Sequence, residues 1–226
     1  AGPGADQLTI DTQQSSRIFF VGTSSLTTEI SGLSLTGGLA NQGGGILNQG
    51  TLTIRESSVF GNEATLDGGG IENKGLLTIV GSTISDNTAG SDGGGIGNSE
   101  DGPRNAVTLT LTNSTVSGNS AGNDGGGIFR STSTTTNILN STILNNDAAN
   151  SGGGIESTGN NKPFNMDNTL VANNTVNGVA NDLGGTLNVN GVNNLIGDAD
   201  SSANLSDGVN GNIVGAEGAG TAAVST

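Results

Sequence analysis

The chain has 226 residues, of which 41 are glycine, and carries a formal net charge of −14 with no cysteine, histidine, tryptophan or tyrosine. This acidity, with only six scattered Lys and Arg residues, argues against nucleic acid as a partner. No run approaches the apolar length of a membrane span, so none is expected. A chain of this size can fold without disulfides, so the lack of cysteine does not exclude an extracellular location.

The segment before the first glycine triplet contains short runs in which apolar and polar residues alternate. A period of two predicts β-strands, and each run is too short for a helix. Ile10 and Leu35 are separated by about one repeat of the kind that solenoids show, which gives a first indication of periodicity. The predicted strands lie at positions 8–10, 18–21, 26–30 and 33–35.

Five copies of Gly-Gly-Gly-Ile follow, at positions 43–46, 68–71, 93–96, 125–128 and 152–155. A regular spacing of this size indicates a solenoid, in which each repeat buries its apolar face only against its neighbours. The five isoleucines are Ile46, Ile71, Ile96, Ile128 and Ile155.

Each triplet is followed by two further alternating segments, for example Leu77–Ile79 and then Ser82–Ile84. Three short strands per repeat of about 25 residues are typical of a parallel β-helix. The sequence therefore predicts an all-β fold: one right-handed parallel β-helix, or β-solenoid, with three strands per coil and about 25 residues per coil.

Equivalent residues of such coils stack about 4.8 Å apart, so the repeat predicts continuous interior stripes. The triplet isoleucines form the first stripe. The second consists of Ile54, Ile79, Leu111 and Ile138, and the third of Val59, Ile84, Val116, Ile143 and Leu170. Relative to Leu170, Phe164 and Met166 fall one residue out of phase, which predicts a bulge.

An asparagine lies three residues beyond each member of the third stripe. Stacked asparagines can exchange amide hydrogen bonds along the solenoid and satisfy buried backbone groups of the turn. The predicted structural ladder is Asn62, Asn87, Asn119, Asn146 and Asn173. The glycine triplets are expected at another corner, where positive φ and close backbone approach exclude a Cβ.

The predicted domain organisation is one parallel β-helix over residues 1–215 and a low-complexity tail over 216–226. The tail is also a candidate for adding a strand to a neighbouring edge. Extra residues at 99–106 and 158–163 are expected to form surface loops on one face.

With these units identified, the chain resembles bacterial secreted and cell-surface β-helix repeat proteins with Gly-Gly-Gly-Ile and Ser-Thr-Ile-x-x-Asn repeats. It is also similar to the Gly-Gly-Ala-Ile and Phe-x-x-Asn repeats of the polymorphic outer membrane proteins, which are autotransported adhesins. Glycine here replaces their alanine, as at Gly70, and an aliphatic residue replaces phenylalanine, as at Ile84. The stretch 193–198 looks like the end of β-helix domains in anchored bacterial surface proteins. The resemblance implies an extracellular or cell-surface location without fixing a function.

Two acidic groups are candidate calcium sites, although we otherwise expect no cofactor. Asp67, Asp92 and Asp124 each precede a triplet, and a calcium ion could bridge their like charges on adjacent coils. The alternative is that they are solvated turn residues. The second group is Asp198, Asp200 and Asp207, with Asn204 and Asn210 nearby.

Two further functions are kept as alternatives. Parallel β-helices also include polysaccharide-cleaving and polysaccharide-binding proteins, but the chain lacks the Tyr and Trp residues that usually stack on sugar rings. We therefore expect a protein that is not an enzyme. Outward threonine ladders could instead bind ice; they are Thr53, Thr78 and Thr110, and Ser58, Thr83, Thr115, Thr142 and Thr169.

Neither end of the predicted solenoid contains a recognisable capping helix. Open strand edges and an open core promote association, so we expect a structural or adhesive surface protein that associates end to end as a fibre, sheath or stalk. A surface polysaccharide, a host or another substratum is a further candidate partner. The apolar residues expected at the two ends are Ile10, Phe20 and Ile30, and Leu195, Ile213 and Val214.

Overall fold

The computed structural model describes residues 2, 4–23, 26–100, 107–159 and 161–215. Apart from one 3-10 helix, Val209–Gly211, its regular structure consists of short strands. In chain order these are β1 (Thr9–Asp11), β2 (Phe19–Val21), β3 (Thr27–Ser31), β4 (Ser34–Thr36), β5 (Leu39–Ala40), β6 (Ile46–Asn48), β7 (Thr51–Arg55), β8 (Ser58–Phe60), β9 (Glu63–Ala64), β10 (Ile71–Asn73), β11 (Leu76–Val80), β12 (Thr83–Ser85), β13 (Thr88–Ala89), β14 (Ile96–Asn98), β15 (Val107–Thr112), β16 (Thr115–Ser117), β17 (Ser120–Ala121), β18 (Ile128–Arg130), β19 (Thr134–Leu139), β20 (Thr142–Leu144), β21 (Asp147–Ala148), β22 (Ile155–Ser157), β23 (Phe164–Asp167), β24 (Leu170–Ala172), β25 (Thr175–Val176), β26 (Val179–Ala180), β27 (Leu183–Gly185), β28 (Val189–Asn190), β29 (Leu195–Ile196) and β30 (Ile213–Val214).

The strands form four sheets that run along the solenoid. Sheet A has nine strands, in the order β1-β4-β8-β12-β16-β20-β24-β29-β30. Sheet B is β2-β6-β10-β14-β18-β22-β27, sheet C is β3-β7-β11-β15-β19-β23-β28, and sheet D is β5-β9-β13-β17-β21-β25-β26. All pairings are parallel except the last one in sheet D, where β26 runs antiparallel to β25. The chain is therefore a parallel β-solenoid of about seven turns, with about 27 residues per turn.

The count of three strands per coil is not confirmed, because each regular coil also contributes a two-residue strand to sheet D. This strand ends in a buried alanine at Ala64, Ala89, Ala121 and Ala148. Two residues are too few for the alternation that identifies a strand in sequence. The predicted asparagine corner is therefore followed by a fourth, short side of the coil.

The interior stripes of the solenoid have the predicted register. Ile71 pairs with Ile46 and Ile96, and the stripe continues through Ile128 and Ile155. In sheet C, Ile79 pairs with Ile54 and Leu111. These side chains are fully buried, so the core is an aliphatic column shared by successive coils.

The third stripe differs from the prediction at its C-terminal end. Val171, not Leu170, pairs with Ile143 and is fully buried, while Leu170 pairs with Thr142 and points outward. Phe164 and Met166 then pair in register with β19, so the expected bulge there is wrong. The one-residue misassignment of Leu170 produced the apparent phase shift.

The triplet corner requires glycine for two different reasons. The first glycine of each triplet has a φ between 60° and 68°, the left-handed region that favours glycine. The second, such as Gly94, lacks positive φ, but a Cβ there would collide with the carbonyl oxygens of Ser120 and Gly126. The close approach between the triplet and sheet D therefore makes glycine necessary at the second position of the triplet.

We expect Ile96→Asp to lower the free energy of unfolding by at least about 3 kcal/mol, because the carboxylate would enter a sealed apolar stripe. Thr83→Asp, on the exposed outer face of β12, is the matched control and should change it by under about 0.5 kcal/mol. Urea unfolding followed by far-UV circular dichroism measures both. Equal effects of the two changes would contradict the register.

Candidate functional site

The asparagine ladder is a continuous buried hydrogen-bond chain. Asn62 donates to Asn87 Oδ1 from its backbone N, at 3.1 Å, and from its Nδ2, at 3.0 Å. Asn87 Nδ2 in turn donates to Asn119 Oδ1 and to the carbonyl oxygen of Val59, both at 3.0 Å. The same pattern links Asn119 to Asn146. Each of these amides thus satisfies backbone groups of the preceding coil and donates to the asparagine side chain of the next coil.

The last member of the ladder is Asn174 and not the predicted Asn173. Asn146 donates to Asn174 Oδ1, whereas Asn173 is exposed with a φ of 57°. Asn174 then donates to Asp182 Oδ1 from its backbone N and its Nδ2, at 3.1 and 2.8 Å. This correction has the same cause as that at Leu170, since the repeat was read one residue too early.

The ladder also explains the third glycine of each triplet. A Cβ at Gly70 would lie within 3 Å of the Asn87 side-chain amide, and one at Gly95 would meet the Asn119 amide. The asparagine side chains therefore occupy the space that a larger residue would need. Asparagine corners and glycine triplets recur together in the sequence because they pack against one another.

We expect Asn119→Ala to lower the free energy of unfolding by about 2 to 4 kcal/mol, since it leaves the buried Asn87 N–H without its acceptor and removes the side-chain donor to the Ile84 carbonyl. Asn190→Ala, at an exposed position on β28, is the control and should change it by under about 0.5 kcal/mol. Chemical denaturation measures both. Similar denaturation midpoints for the two variants would show that the asparagine ladder does not stabilise the fold.

The predicted acidic column on the outer corner consists of Asp67, Asp92 and Asp124. The backbone N of Asp92 donates to Asp67 Oδ1 at 3.4 Å, and that of Asp124 donates to Asp92 Oδ1 at 3.1 Å. Asn123 Nδ2 also donates to Asp92 Oδ1, at 2.8 Å. The carboxylates therefore act as acceptors that join adjacent corners.

The stacked charges affect one another. Burial, together with the neighbouring charges of Asp124 and Asp67, raises the pKa of Asp92 above its ordinary value, while hydrogen bonds from Asn123 and the Asp124 N–H oppose the rise. Among the described residues, no group of three or more acidic side chains is arranged to hold a metal ion. The geometry favours a hydrogen-bonded turn at this column.

The second acidic group lies in the loop between β29 and β30, and its carboxylates do not converge. Asp198 is buried and accepts hydrogen bonds from the Ser201 hydroxyl, at 2.6 Å, and from the Asp200 N, at 3.3 Å. Asp200 is exposed, and Asp207 accepts from the Val214 N at 3.2 Å. The loop thus uses two of these carboxylates to hold its own backbone.

We expect millimolar calcium to leave the melting temperature of chelator-treated protein unchanged, because the backbone already donates to these carboxylates. Differential scanning fluorimetry with and without calcium, at fixed ionic strength, measures the shift, and magnesium is the matched control. A calcium-specific rise that Asp92→Asn abolishes would instead establish the bridging site.

The N-terminal end of the solenoid has an open apolar cleft of about 650 Å³. Its lining includes Phe19, Phe20, Val21, Ile30 and Leu33. Phe20 is 59% exposed, whereas Ile30 belongs to the core stripe and lies at the bottom of the cleft. The cleft is therefore the end of the aliphatic column.

Strand edges border this cleft. β2 and β3 are the first strands of sheets B and C, and each is paired on one side with the following coil. Sheet A extends one strand further through β1, in which Ile10 pairs with Leu35 and is half-buried. Gly2 contributes one hydrogen bond to the Ser31 carbonyl oxygen. The first coil is thus extended by one strand in sheet A, whereas, in the described part of the chain, sheets B and C begin at the unpaired edges of β2 and β3.

The C-terminal end is more closed than expected, because the loop between β29 and β30 covers part of it. Leu205 from this loop packs into the core. The Asn204 side chain accepts from the Val189 N, at 2.6 Å, and donates to the Val189 carbonyl oxygen, at 3.0 Å, as a neighbouring strand would. The antiparallel strand β26 terminates sheet D.

Sheet A ends in β30, where the predicted assembly residues lie on both faces. Ile213 is 50% exposed and pairs with the outward, half-buried Leu195, while Val214 continues the core stripe. The tail at 216–226 lies outside the described residues. Among the described residues, the cleft is therefore open at the N-terminal end, and the C-terminal end is partly covered.

The sheet C threonine ladder has the predicted members, whereas the sheet A ladder is one residue shorter than predicted. Thr53, Thr78 and Thr110 stack on the outer face of sheet C, and the column continues with Asn137 and Asn165. On sheet A the column runs from Ser58 through Thr142 to Leu170. Thr169 is buried in the preceding turn and does not belong to it.

The most important residues missed by the sequence reasoning are buried charged groups. Arg130 is fully buried in the column of Asn48, Asn73 and Asn98. It donates to the carbonyl oxygens of Thr134, Gly159 and Lys162 and to the Ser157 hydroxyl, and its guanidinium lies 5.8 Å from the Phe164 ring centroid. It anchors the inserted loop at 158–163.

Two glutamates, Glu72 and Glu156, also occupy an outward position of sheet B at which both are buried. A third buried carboxylate, Asp182, ends the asparagine ladder; burial raises its pKa, and hydrogen bonds from Asn174 and Asp198 oppose the rise. The only sequence signal for the glutamates is the glycine at the equivalent position one coil later, Gly97 or Gly184.

Comparisons of the chain with protein-family models, with curated proteins and with solved structures find no match. The resemblance to bacterial adhesin repeats therefore receives no support from them. The described residues contain no helix that is long and apolar enough to cross a membrane.

Proposed function

We propose that this protein is a non-catalytic extracellular structural or adhesive β-solenoid that associates end to end with further copies. The main support is the distribution of exposed large apolar side chains. Of the ten among the described residues, seven lie in the terminal coils, and contiguous apolar exposure is typical of interaction surfaces. Three of these are N-terminal (Leu8, Phe20 and Leu26), and four are C-terminal (Val179, Val192, Val209 and Ile213).

The N-terminal cleft supplies one half of the proposed joint. The edges of β1 in sheet A and β2 in sheet B carry backbone groups suited to parallel pairing, and the cleft exposes the end of the aliphatic column beside β2. A second copy stacked here would bury the exposed side chain of Phe20 and the remaining exposed surface of Ile30. Burial of apolar surface and completion of strand edges would act together.

The C-terminal end supplies the other half. Because the loop between β29 and β30 covers sheet C, the joint would use the edges of β30 in sheet A and β27 in sheet B. Unlike ends meet in this arrangement, so it propagates as a filament and does not close as a dimer.

Electrostatics would oppose this joint at low ionic strength. In the segment 1–55 the acidic side chains Asp6, Asp11 and Glu29 outnumber the basic Arg17 and Arg55 by one, with Arg55 paired to Glu29 at 3.4 Å, while the segment 163–215 contains five Asp and no Lys or Arg. Two acidic ends repel one another, and salt screens this repulsion over about 10 Å at 0.1 M. Association is therefore expected to strengthen as salt is added.

Other features support the remaining parts of the proposal. The extracellular location, and a polysaccharide, host or substratum as a further partner, rest on the sequence resemblance and the acidic composition.

The non-catalytic assignment is supported by the outer carboxylates of Asp67, Asp92 and Asp124, which are engaged by hydrogen bonds. Ice binding has weaker support, because the sheet C ladder holds only three successive threonines.

We expect the purified chain to form particles whose lengths increase in steps of about 35 Å, the height of seven coils at about 4.8 Å each. Phe20→Lys and Ile213→Lys should each shift the distribution to monomers. Leu66→Lys, an exposed apolar side chain in the middle of the solenoid, is the matched control and should not. Light scattering at low and at high NaCl concentration and negative-stain electron microscopy measure the distribution. If the parent remains monomeric at high concentration and salt, the filament proposal is wrong and a monomeric adhesin stalk replaces it.

A further inference from the structure

Glu156 occupies an unusual place for a carboxylate in this solenoid. It is the central residue of β22 and points away from the core, yet it is only 4% exposed. Its neighbours in sheet B are Phe129 on one side and Gly184 on the other. Gly184 belongs to β27, the last strand of sheet B.

The carboxyl group of Glu156 is held against β27 by close contacts. Glu156 Oε2 accepts a hydrogen bond from the Ser151 hydroxyl at 2.6 Å. A Cβ at Gly184 would collide with Oε2, and one at Gly185 would collide with Oε1. The Glu156 side chain therefore lies directly over the backbone of β27, and two consecutive glycines make room for it.

The charged groups around Glu156 are acidic. Asp124 lies in the corner of the preceding coil, where it pairs with Ser151. Its charge acts on Glu156 together with that of Asp92 one coil further away, while β27 contributes glycines beside it. On the adjacent strand β18, Arg130 lies in the inward column and donates to carbonyl oxygens and the Ser157 hydroxyl. An ionised Glu156 would therefore be a buried negative charge facing two others.

We propose that Glu156 is a proton-controlled clasp that holds the last strand of sheet B on the solenoid. When protonated, it packs as a neutral group over Gly184 and Gly185. When ionised, it is desolvated beside Asp92 and Asp124, and movement of β27 away from β22 relieves this cost. Mild acidity tightens the C-terminal coil, and alkaline conditions loosen it. This proposal does not depend on end-to-end association.

The pH window follows from the titration of Glu156. Burial, with the charges of Asp124 and Asp92, raises its pKa from 4.5 to about 7, against hydrogen bonds from Ser151 and the Ser157 N–H. An acid whose pKa is raised in the folded state binds more protons folded than unfolded between these values. Its stabilising contribution is fully present below about pH 4.5 and is lost as the pH rises through about 7.

The first measurement is amide hydrogen exchange between pH 5 and 8 at Gly184 and Thr186, whose N–H groups face β22, corrected for the intrinsic pH dependence of exchange; Thr186 donates to the Ser157 carbonyl oxygen at 2.9 Å. Protection of both amides should fall by roughly 50-fold across this range in the parent and remain nearly constant in Glu156→Gln. Glu63→Gln, at an exposed position on β9, is the matched control and should follow the parent. Any pH dependence that remains in Glu156→Gln measures the contribution of Asp92 and Asp182, whose pKa values are also raised.

Equal pH dependence in the parent and in Glu156→Gln would overturn the proposal. If Glu156→Gln does not fold, the titration midpoint of Glu156 is measured instead, by carboxyl carbon NMR of the selectively labelled parent. A Glu156 titration midpoint below about 5 contradicts the clasp. A midpoint near 7, with loss of β27 protection over the same range, supports it.

Discussion

The structure depends on in-register parallel stacking of successive coils. When equivalent residues lie about 4.8 Å apart, each side chain meets its own counterpart, so the chemistry of one position is repeated along the whole molecule. Isoleucines stack into an apolar column, asparagines into an amide chain and triplet glycines into a corner of paired backbone. Each column is stable because its members are alike, and a shift of one residue would disrupt all of them at once.

Like charges are the difficult case for this arrangement. Repeating an aspartate stacks carboxylates, and the chain accommodates them by donating the backbone N–H of Asp92 and Asp124 to the previous member. Glu156 has no such series, since its counterparts one coil away are Phe129 and Gly184. Burial of its carboxyl group raises its pKa, so in-register stacking accounts both for the hydrogen-bonded aspartate column and for a single titratable glutamate.

The sequence predicted the parts of the fold that repeat with a clear period. Glycine triplets, their isoleucines and the alternating strands determined the register of five coils. The fourth strand was missed because pairs such as Thr88–Ala89 are too short to alternate. Leu170 was placed inside because it precedes an equally apolar Val171, and only the pairing of β24 with β20 distinguishes them.

Features that occur once could not be predicted in this way. Arg130 interrupts an asparagine column, and sequence reasoning places a cation outside unless its carbonyl partners from the 158–163 loop are known. The C-terminal end is covered partly because the Asn204 side chain bonds to the N–H and carbonyl oxygen of Val189, as a paired strand would. No residue pattern in the sequence predicts this role. The candidate sites at Asp67 and Asp198 were recognised as acidic clusters, but their hydrogen bonds follow only from the folded arrangement of the corners and the loop.

Disulfide mapping tests the register most directly, because the chain has no native cysteine. Thr142 faces Leu170 across sheet A, within the Cα separation that a disulfide spans, whereas Thr169 is buried in the turn. With cysteines at 142 and 170, mild oxidation should give rapid and complete cross-linking, and the pair at 142 and 169 should remain reduced. Preferential cross-linking of the second pair would contradict the register and the account built on it.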